Sequence, residues 1–272
     1  MSDNLNTRLE FAERIAVEAG RSTLGLFHAP ARHADTKPDG SPVTAADRNA
    51  ETLLRKRIGE TYPDDAILGE EFDDKPGTSG WQWILDPIDG TKSFVHGVPL
   101  YGTMVACEFE GQPRVGVIHM PALDETIAGA VSEQGTRKGW WKPAGLDERR
   151  PLAVTPTPTL KQAMALWTCP EVYRDLGVLH VFQHLEHVLG HQRGWSDCYG
   201  YVLLTTGRAD AVIEAGLQIW DIAAALPILH AAGARVSDWT GGEDFGSGRV
   251  VASNGPVHDD FLREIQRALA AD

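Results

Sequence analysis

Apolar residues recur at helical spacing near the start of the chain, at Leu9, Ala12, Ile15, Ala16 and Ala19. They predict an amphipathic helix over residues 7 to 28 that ends near Gly25. The stretch from Asp35 to Pro42, with Asp39-Gly40 and two prolines, breaks the pattern and reads as a turn or mobile loop. Thr44 then opens a second helix, with Asp47 three residues on and Leu53, Leu54 and Ile58 on the buried side. Ala66 to Leu68 reads as a short strand that delivers Glu70 and Glu71. Trp81 to Leu85 reads as a buried strand running into an Asp-Pro-Ile-Asp-Gly-Thr turn, and Gly102 to Phe109 and Arg114 to His119 extend a sheet. Beyond residue 160 helices are expected around Asp175 to Leu189, Cys198 to Thr206 and Ile222 to Ala232, with a strand over Ala209 to Glu214. This alternation points to α/β layers, and no internal repeat of fixed period interrupts it.

Composition narrows the picture. The 272 residues are 42% hydrophobic and 23% charged, as in a folded globular chain. No Ser/Gly-rich or charge-run linker separates independent units, so one compact body is expected, with halves of roughly residues 1–150 and 151–272. The first residues lack a basic segment followed by an apolar stretch. The longest uncharged apolar runs, such as Ile222 to Leu229, are far short of the ~20 residues that cross a bilayer. A cytoplasmic protein without membrane partners is expected. A net charge of −13 argues against nucleic acid and suits a protein that holds cations, although a generic acidic surface accounts for it equally well. Cys107, Cys169 and Cys198 form no Cys-x-x-Cys pair, and Cys198 has no activating base beside it in the sequence to make it a nucleophile.

The candidate chemistry centres on Asp86-Pro87-Ile88-Asp89-Gly90-Thr91. Two carboxylates three residues apart at a strand end can face one point, and so can the Ile88 carbonyl; hard oxygen donors of this kind suit magnesium. Gly90 and Thr91 place backbone N–H groups where a phosphate can approach, above all if Thr91 starts a helix. The same residues also fit a plain Asx turn, with Pro87 fixing φ and Gly90 at positive φ.

Gly69-Glu70-Glu71, the Asp86 to Thr91 motif, and Trp220-Asp221-Ile222-Ala223-Ala224 followed by Ala232-Gly233-Ala234 together resemble the inositol monophosphatase superfamily over almost the whole chain. The resemblance implies a layered α/β/α/β/α fold and a small-molecule phosphate ester as substrate. It also implies two or three Mg²⁺ ions and a homodimer. Glu70, Asp86 and the Ile88 carbonyl would hold one ion, and Asp86, Asp89 and Asp221 a second. Asp47 would assist a weaker third while also capping its helix, and Glu70 and Thr91 would orient the attacking water. Glu71 would support the site from behind; Lys37 lies in the loop where family members place a lysine near the site, and as a lone basic residue it reads as solvated. Where the family ends its last motif Glu-Ala-Gly-Gly, this chain has His230-Ala231-Ala232-Gly233-Ala234, which leaves the packing of that helix end open.

Trp195-Ser196-Asp197-Cys198-Tyr199-Gly200-Tyr201 and the segment Phe94 to Thr103 resemble the branch of that family acting on histidinol phosphate. Asp197 and Glu214 would pair with an ammonium and an imidazole, and Trp195 would stack on the ring. Asp197 also fits as an N-cap, Glu214 as a solvated turn acid and Trp195 as ordinary packing. Inositol 1-phosphate and 3′-nucleotides are the competing esters, and a catalytically idle binding module is the competitor from another class. His180, His184, His187 and His191 recur at helical spacing. With no acid or cysteine to complete a zinc or nickel set, they are expected on a solvated or subunit-contact face.

Overall fold

A computed structural model describes residues 2–29, 34–37, 42–195 and 197–271, without the side chains of residues 2–4. The Asp39-Gly40 pair and Ser196 lie outside the described residues. In chain order the elements are α1 (Ser2–Phe27), β1 (Asp35–Thr36), β2 (Pro42–Val43), α2 (Ala45–Thr61), β3 (Ala66–Gly69), β4 (Trp81–Asp89), α3 (Thr91–Val95), β5 (Gly102–Phe109), β6 (Gln112–Met120), β7 (Glu125–Val131) and β8 (Arg137–Lys142). They continue with β9 (Met164–Leu166), α4 (Pro170–Asp175), α5 (Leu179–Val188), β10 (His191–Arg193), α6 (Cys198–Thr205), β11 (Ala211–Glu214), α7 (Ile219–Ala223), α8 (Ala225–Ala232), β12 (Arg235–Asp238), β13 (Val250–Ser253) and α9 (His258–Leu269).

Two sheets organise the chain. The first has the order β3-β4-β5-β6-β7-β8 and is antiparallel except for the parallel pair β3/β4. The second has the order β10-β9-β11-β13-β12, parallel through β10, β9 and β11 and antiparallel beyond. Helices α1 and α2 cover the outer face of the first sheet, where Leu9, Ala12, Ile15, Ala16 and Ala19 are buried with Leu54, Ile58 and Trp83. Alanines on that stripe let α1 lie close to the strands. Helices α6 and α8 lie between the sheets, in a cluster joining Met104 and Ile118 of the first sheet to Leu166 and Val212 of the second. Helices α5 and α9 cover the far face through Val181, Leu185, Phe261 and Ile265. The result is a layered α/β/α/β/α fold. No described helix is long and apolar enough to cross a membrane.

The structure corrects the outline in three places. The helix expected around Asp175 to Leu189 is α5, which starts only at Leu179; Asp175 ends α4, and Gly177 (φ 72°) lies between the two helices. The Asp-Pro-Ile-Asp segment is no free turn, because β4 continues to Asp89. The four histidines do not form one stripe: His180, His184 and His187 lie on α5, where His184 Nε2 is 2.7 Å from Glu264 Oε2 on α9 and His187 Nδ1 meets the Gln183 carbonyl at 2.7 Å, but His191 belongs to β10. At the unusual Ala232-Gly233-Ala234 ending, Gly233 adopts φ 80° and caps α8.

Candidate active site

A register break builds the centre of the site. Asp86 pairs with Met104 but Asp89 with Gly102, so three steps along β4 match two along β5. In a regular strand residues three apart face opposite sides of the sheet; the extra residue of a bulge brings them to the same side. Pro87 suits the bulge because it has no N–H to give the ladder, while its carbonyl accepts from Thr103 Oγ1 at 2.8 Å. The strand ends at Gly90, whose φ of 85° turns the chain into α3 at Thr91. A side chain at Gly90 would also meet Asp197, since its Cβ would lie 3.1 Å from Asp197 Oδ2.

Asp221 joins the pair from α7. Its carboxylate accepts the Gln218 N–H at 2.7 Å as an N-terminal cap. Ligand oxygens of Asp86, Asp89 and Asp221 all lie within 4.8 Å of one another, the single such group of His, Cys, Asp or Glu among the described residues. Burial and neighbouring carboxylates push Asp86 and Asp89 well above the usual carboxylate range, and burial raises Asp221 to about 7. Asp86 Oδ1 is buried with no hydrogen-bond partner among the described residues. Oxygen donors crowded together, mutually repelling and incompletely hydrogen-bonded are the donor set a hard divalent cation satisfies, so these residues fit magnesium.

Glu70 and Glu71 follow β3, and the Glu70 N–H donates to the Leu85 carbonyl beside Asp86 at 3.2 Å. Lys37 spans both acids, its Nζ 2.7 Å from Glu70 Oε1 and from Glu71 Oε1. That corrects its expected place in solvent, for its side chain is only 17% exposed. Burial alone would lower the Lys37 ammonium, but hydrogen bonds to the two glutamates outweigh it and raise it. Glu71, buried beside Glu70, rises to about 7, with burial the main cause and Lys37 opposing. Glu51, one turn beyond Asp47 on α2, accepts the Glu71 N–H at 2.8 Å and Arg55 Nε at 2.7 Å, which fixes the glutamate pair from below.

Asp47 is fully buried and caps α2: the Thr44 N–H reaches its Oδ2 at 2.8 Å. The same carboxylate turns Oδ1 toward Thr91 Oγ1 at 3.4 Å, and Thr91 Oγ1 also lies 3.1 Å from the Ile88 carbonyl. Neither Asp47 nor Glu70 belongs to the close trio.

A cavity of about 160 Å³ opens beside the trio, its wall including Asp89, Asp221, Asp197, Glu214, Thr168 and Tyr201. Asp197 precedes α6, but its side chain makes no cap. Its backbone, at φ 55° and ψ −158°, lies in a region normally left to glycine, a strain of roughly 1–3 kcal/mol. Burial raises Asp197 to about 6, with Lys92 and Thr168 opposing. Glu214 ends β11 and is 3% exposed, with Thr168 Oγ1 donating to its Oε1 at 3.0 Å, so it is not a solvated turn acid. Trp195 is not brought into the cavity wall; it is 44% exposed, with the Arg193 guanidinium 6.0 Å from its ring. Thr168, Glu51 and Tyr201 were not distinguishable by type alone. The spacing Asp47 to Glu51, four residues apart on α2, was the available signal for Glu51.

Residues 4–270 match the model of the inositol monophosphatase family. A histidinol-phosphatase of Chlorobaculum parvum is 39% identical over 93% of this chain and 93% of its own length. An inositol-1-monophosphatase of Mesorhizobium japonicum is 32% identical over 94% and 95%. The structure superimposes on the extragenic suppressor protein SuhB of Bartonella henselae with a TM-score of 0.84 and 26% identity, covering 95% of this chain and 98% of that one. The chain belongs to the inositol monophosphatase family and is a phosphoric monoester hydrolase.

Proposed function

We propose that this chain is a magnesium-dependent phosphatase that hydrolyses histidinol phosphate to histidinol and phosphate, a step of histidine biosynthesis. The observation that carries the ester's identity is the pair of carboxylates, half-buried Asp197 and buried Glu214, lining the cavity next to Asp89 and Asp221. A polyol offers such acids only hydroxyls, whereas histidinol phosphate offers an ammonium and an imidazole, for which charge-assisted hydrogen bonds offset the burial of a carboxylate. The histidinol-phosphatase relatives support the same reading.

In this reading Glu70, Asp86 and the Ile88 carbonyl would hold one magnesium and Asp86, Asp89 and Asp221 another, with Asp47 assisting a weaker third. Bound magnesium supplies a water of lowered pKa and neutralises charge on the phosphate and the departing alkoxide. The phosphate rests against Gly90 and Thr91 at the start of α3. The Thr91 hydroxyl donates its hydrogen bond to the Ile88 carbonyl or Asp47, so its oxygen lone pairs are free to accept from the attacking water, which Glu70 holds from the other side. Asp221 and Asp89 keep the leaving oxygen within reach of positive charge, and no protein nucleophile takes part. The test is phosphate release from histidinol phosphate before chelation, in excess chelator and after magnesium is restored. Loss and recovery are expected, and full turnover in chelator would overturn the metal-dependent reading.

A further inference from the structure

Three tyrosines of this chain are almost completely buried, and two obey the usual rule that a buried phenol finds a partner. The Tyr101 hydroxyl meets Thr23 Oγ1 at 3.0 Å, and Tyr173 donates to the Ile213 carbonyl at 2.8 Å. Tyr201 is the exception: it is 2% exposed, yet its hydroxyl has no hydrogen-bond partner among the described residues. Leaving such a group unpaired costs roughly 1–3 kcal/mol. The exception occurs on the wall of the cavity, which Tyr201 shares with Glu214 and with the apolar side chains of Val172 and Leu217.

A protonated phenol is a hydrogen-bond donor, and a carboxylate is an acceptor. Side by side on one wall they complement a flat ring that has a lone pair on one nitrogen and an N–H on another, with Val172 and Leu217 supplying apolar contact. Asp197 is linked to Glu214 through Thr168, whose Oγ1 accepts the Asp197 N–H and donates to Glu214, and its Oδ2 borders the space over Gly90 where the phosphate end of the site begins. The ligand's order of groups matches: in histidinol phosphate the ammonium is on the carbon next to the phosphate-bearing one, and the imidazole is farther along.

We propose that Tyr201 and Glu214 form the subsite that reads the heteroaromatic ring, with the Tyr201 hydroxyl donating to the unprotonated ring nitrogen and Glu214 accepting from the ring N–H, while Asp197 takes the ammonium. This rests on the histidinol phosphate reading above and adds a specificity residue to it.

The experiment is Tyr201→Phe, which keeps the ring and removes one oxygen. The ratio of kcat/KM for histidinol phosphate to that for glycerol phosphate, which has no ring, is expected to fall about tenfold to a hundredfold. The inhibition constant of histidinol, a competitive ligand lacking phosphate, is expected to rise in proportion. An unchanged ratio and inhibition constant in a folded variant would overturn the ring subsite alone. A wild type with no preference for histidinol phosphate over glycerol phosphate would instead overturn the underlying function. Should Tyr201→Phe fail to fold, Glu214→Gln carries the same test: a fall in the same ratio supports the subsite, and an unchanged ratio contradicts it.

Discussion

The backbone N–H of Cys198 donates a hydrogen bond to Oδ2 of Asp89, joining residues 109 apart in the chain. The contact ties the bulged end of β4 to the start of α6, and the strained backbone of Asp197 is what turns that N–H toward the carboxylate. One residue thereby serves two purposes: its backbone fixes Asp89 and its side chain lines the cavity.

Asp89→Asn leaves an oxygen to accept from Cys198 but removes a charge from the trio. Turnover on every ester is expected to fall by roughly two to three orders of magnitude, with little change in melting temperature. Steady-state kinetics on two unrelated esters checks this; rates within a few-fold of wild type would remove Asp89 from the catalytic cluster.

Asp197→Asn separates recognition from chemistry. Its side chain caps no helix, and asparagine tolerates positive φ nearly as well as aspartate, so the fold is expected to persist. Loss of a charge-assisted hydrogen bond to the ammonium, about 1.5–3 kcal/mol, lowers the preference for histidinol phosphate over glycerol phosphate by about tenfold to a hundredfold. Equal losses on both esters would assign Asp197 a structural role only.

Gly69 tests how the glutamate pair is held. A Cβ there would fall 2.1 Å from Glu51 Oε1, whereas one at Gly25 would meet nothing within 4 Å. Gly69→Ala is expected to displace Glu51, release the Glu71 N–H and cut activity severely, while Gly25→Ala stays near wild type. Comparable activity in the two variants would show that Glu51 does not position Glu70.

Stability is expected to depend on pH through His119. It is 1% exposed, its Nδ1 meets Thr126 Oγ1 at 2.8 Å, and burial holds it down at about 4, against about 6.5 in an unfolded chain. Between those values the unfolded state binds the extra proton, so this contribution is complete above pH 6.5 and is lost as pH falls toward 4, by up to roughly 3 kcal/mol. The raised carboxylates of the site act in the opposite sense, so the difference between wild type and His119→Gln isolates the histidine. Urea unfolding at pH 7 and pH 4.5 should show a smaller acid loss in the variant; identical losses would contradict the neutral buried histidine.

Long periodic elements and local motifs were legible in the sequence. The stripe from Leu9 to Ala19 specified α1, and Thr44 with Asp47 specified the start of α2, because each signal is complete within a few turns. The acids at 70, 86, 89 and 221 stood out by motif. Strands β9, β10, β12 and β13 did not, since three or four residues are too few for a period of two to register. The small-residue strand β7 was equally silent, although α9 carried an available signal in Phe261, Ile265 and Ala268. Contacts across the fold were the least legible: Lys37 over Glu70, Cys198 on Asp89 and the unpaired Tyr201 hydroxyl all depend on packing between elements distant in sequence.

The most direct measurement is kcat/KM with saturating magnesium for histidinol phosphate, inositol 1-phosphate and adenosine 3′,5′-bisphosphate under one set of conditions. A preference for histidinol phosphate of at least about tenfold over both is predicted from the carboxylates at 197 and 214. Equal or faster turnover of inositol 1-phosphate would contradict the assignment of those two acids to a cationic, ring-bearing substrate.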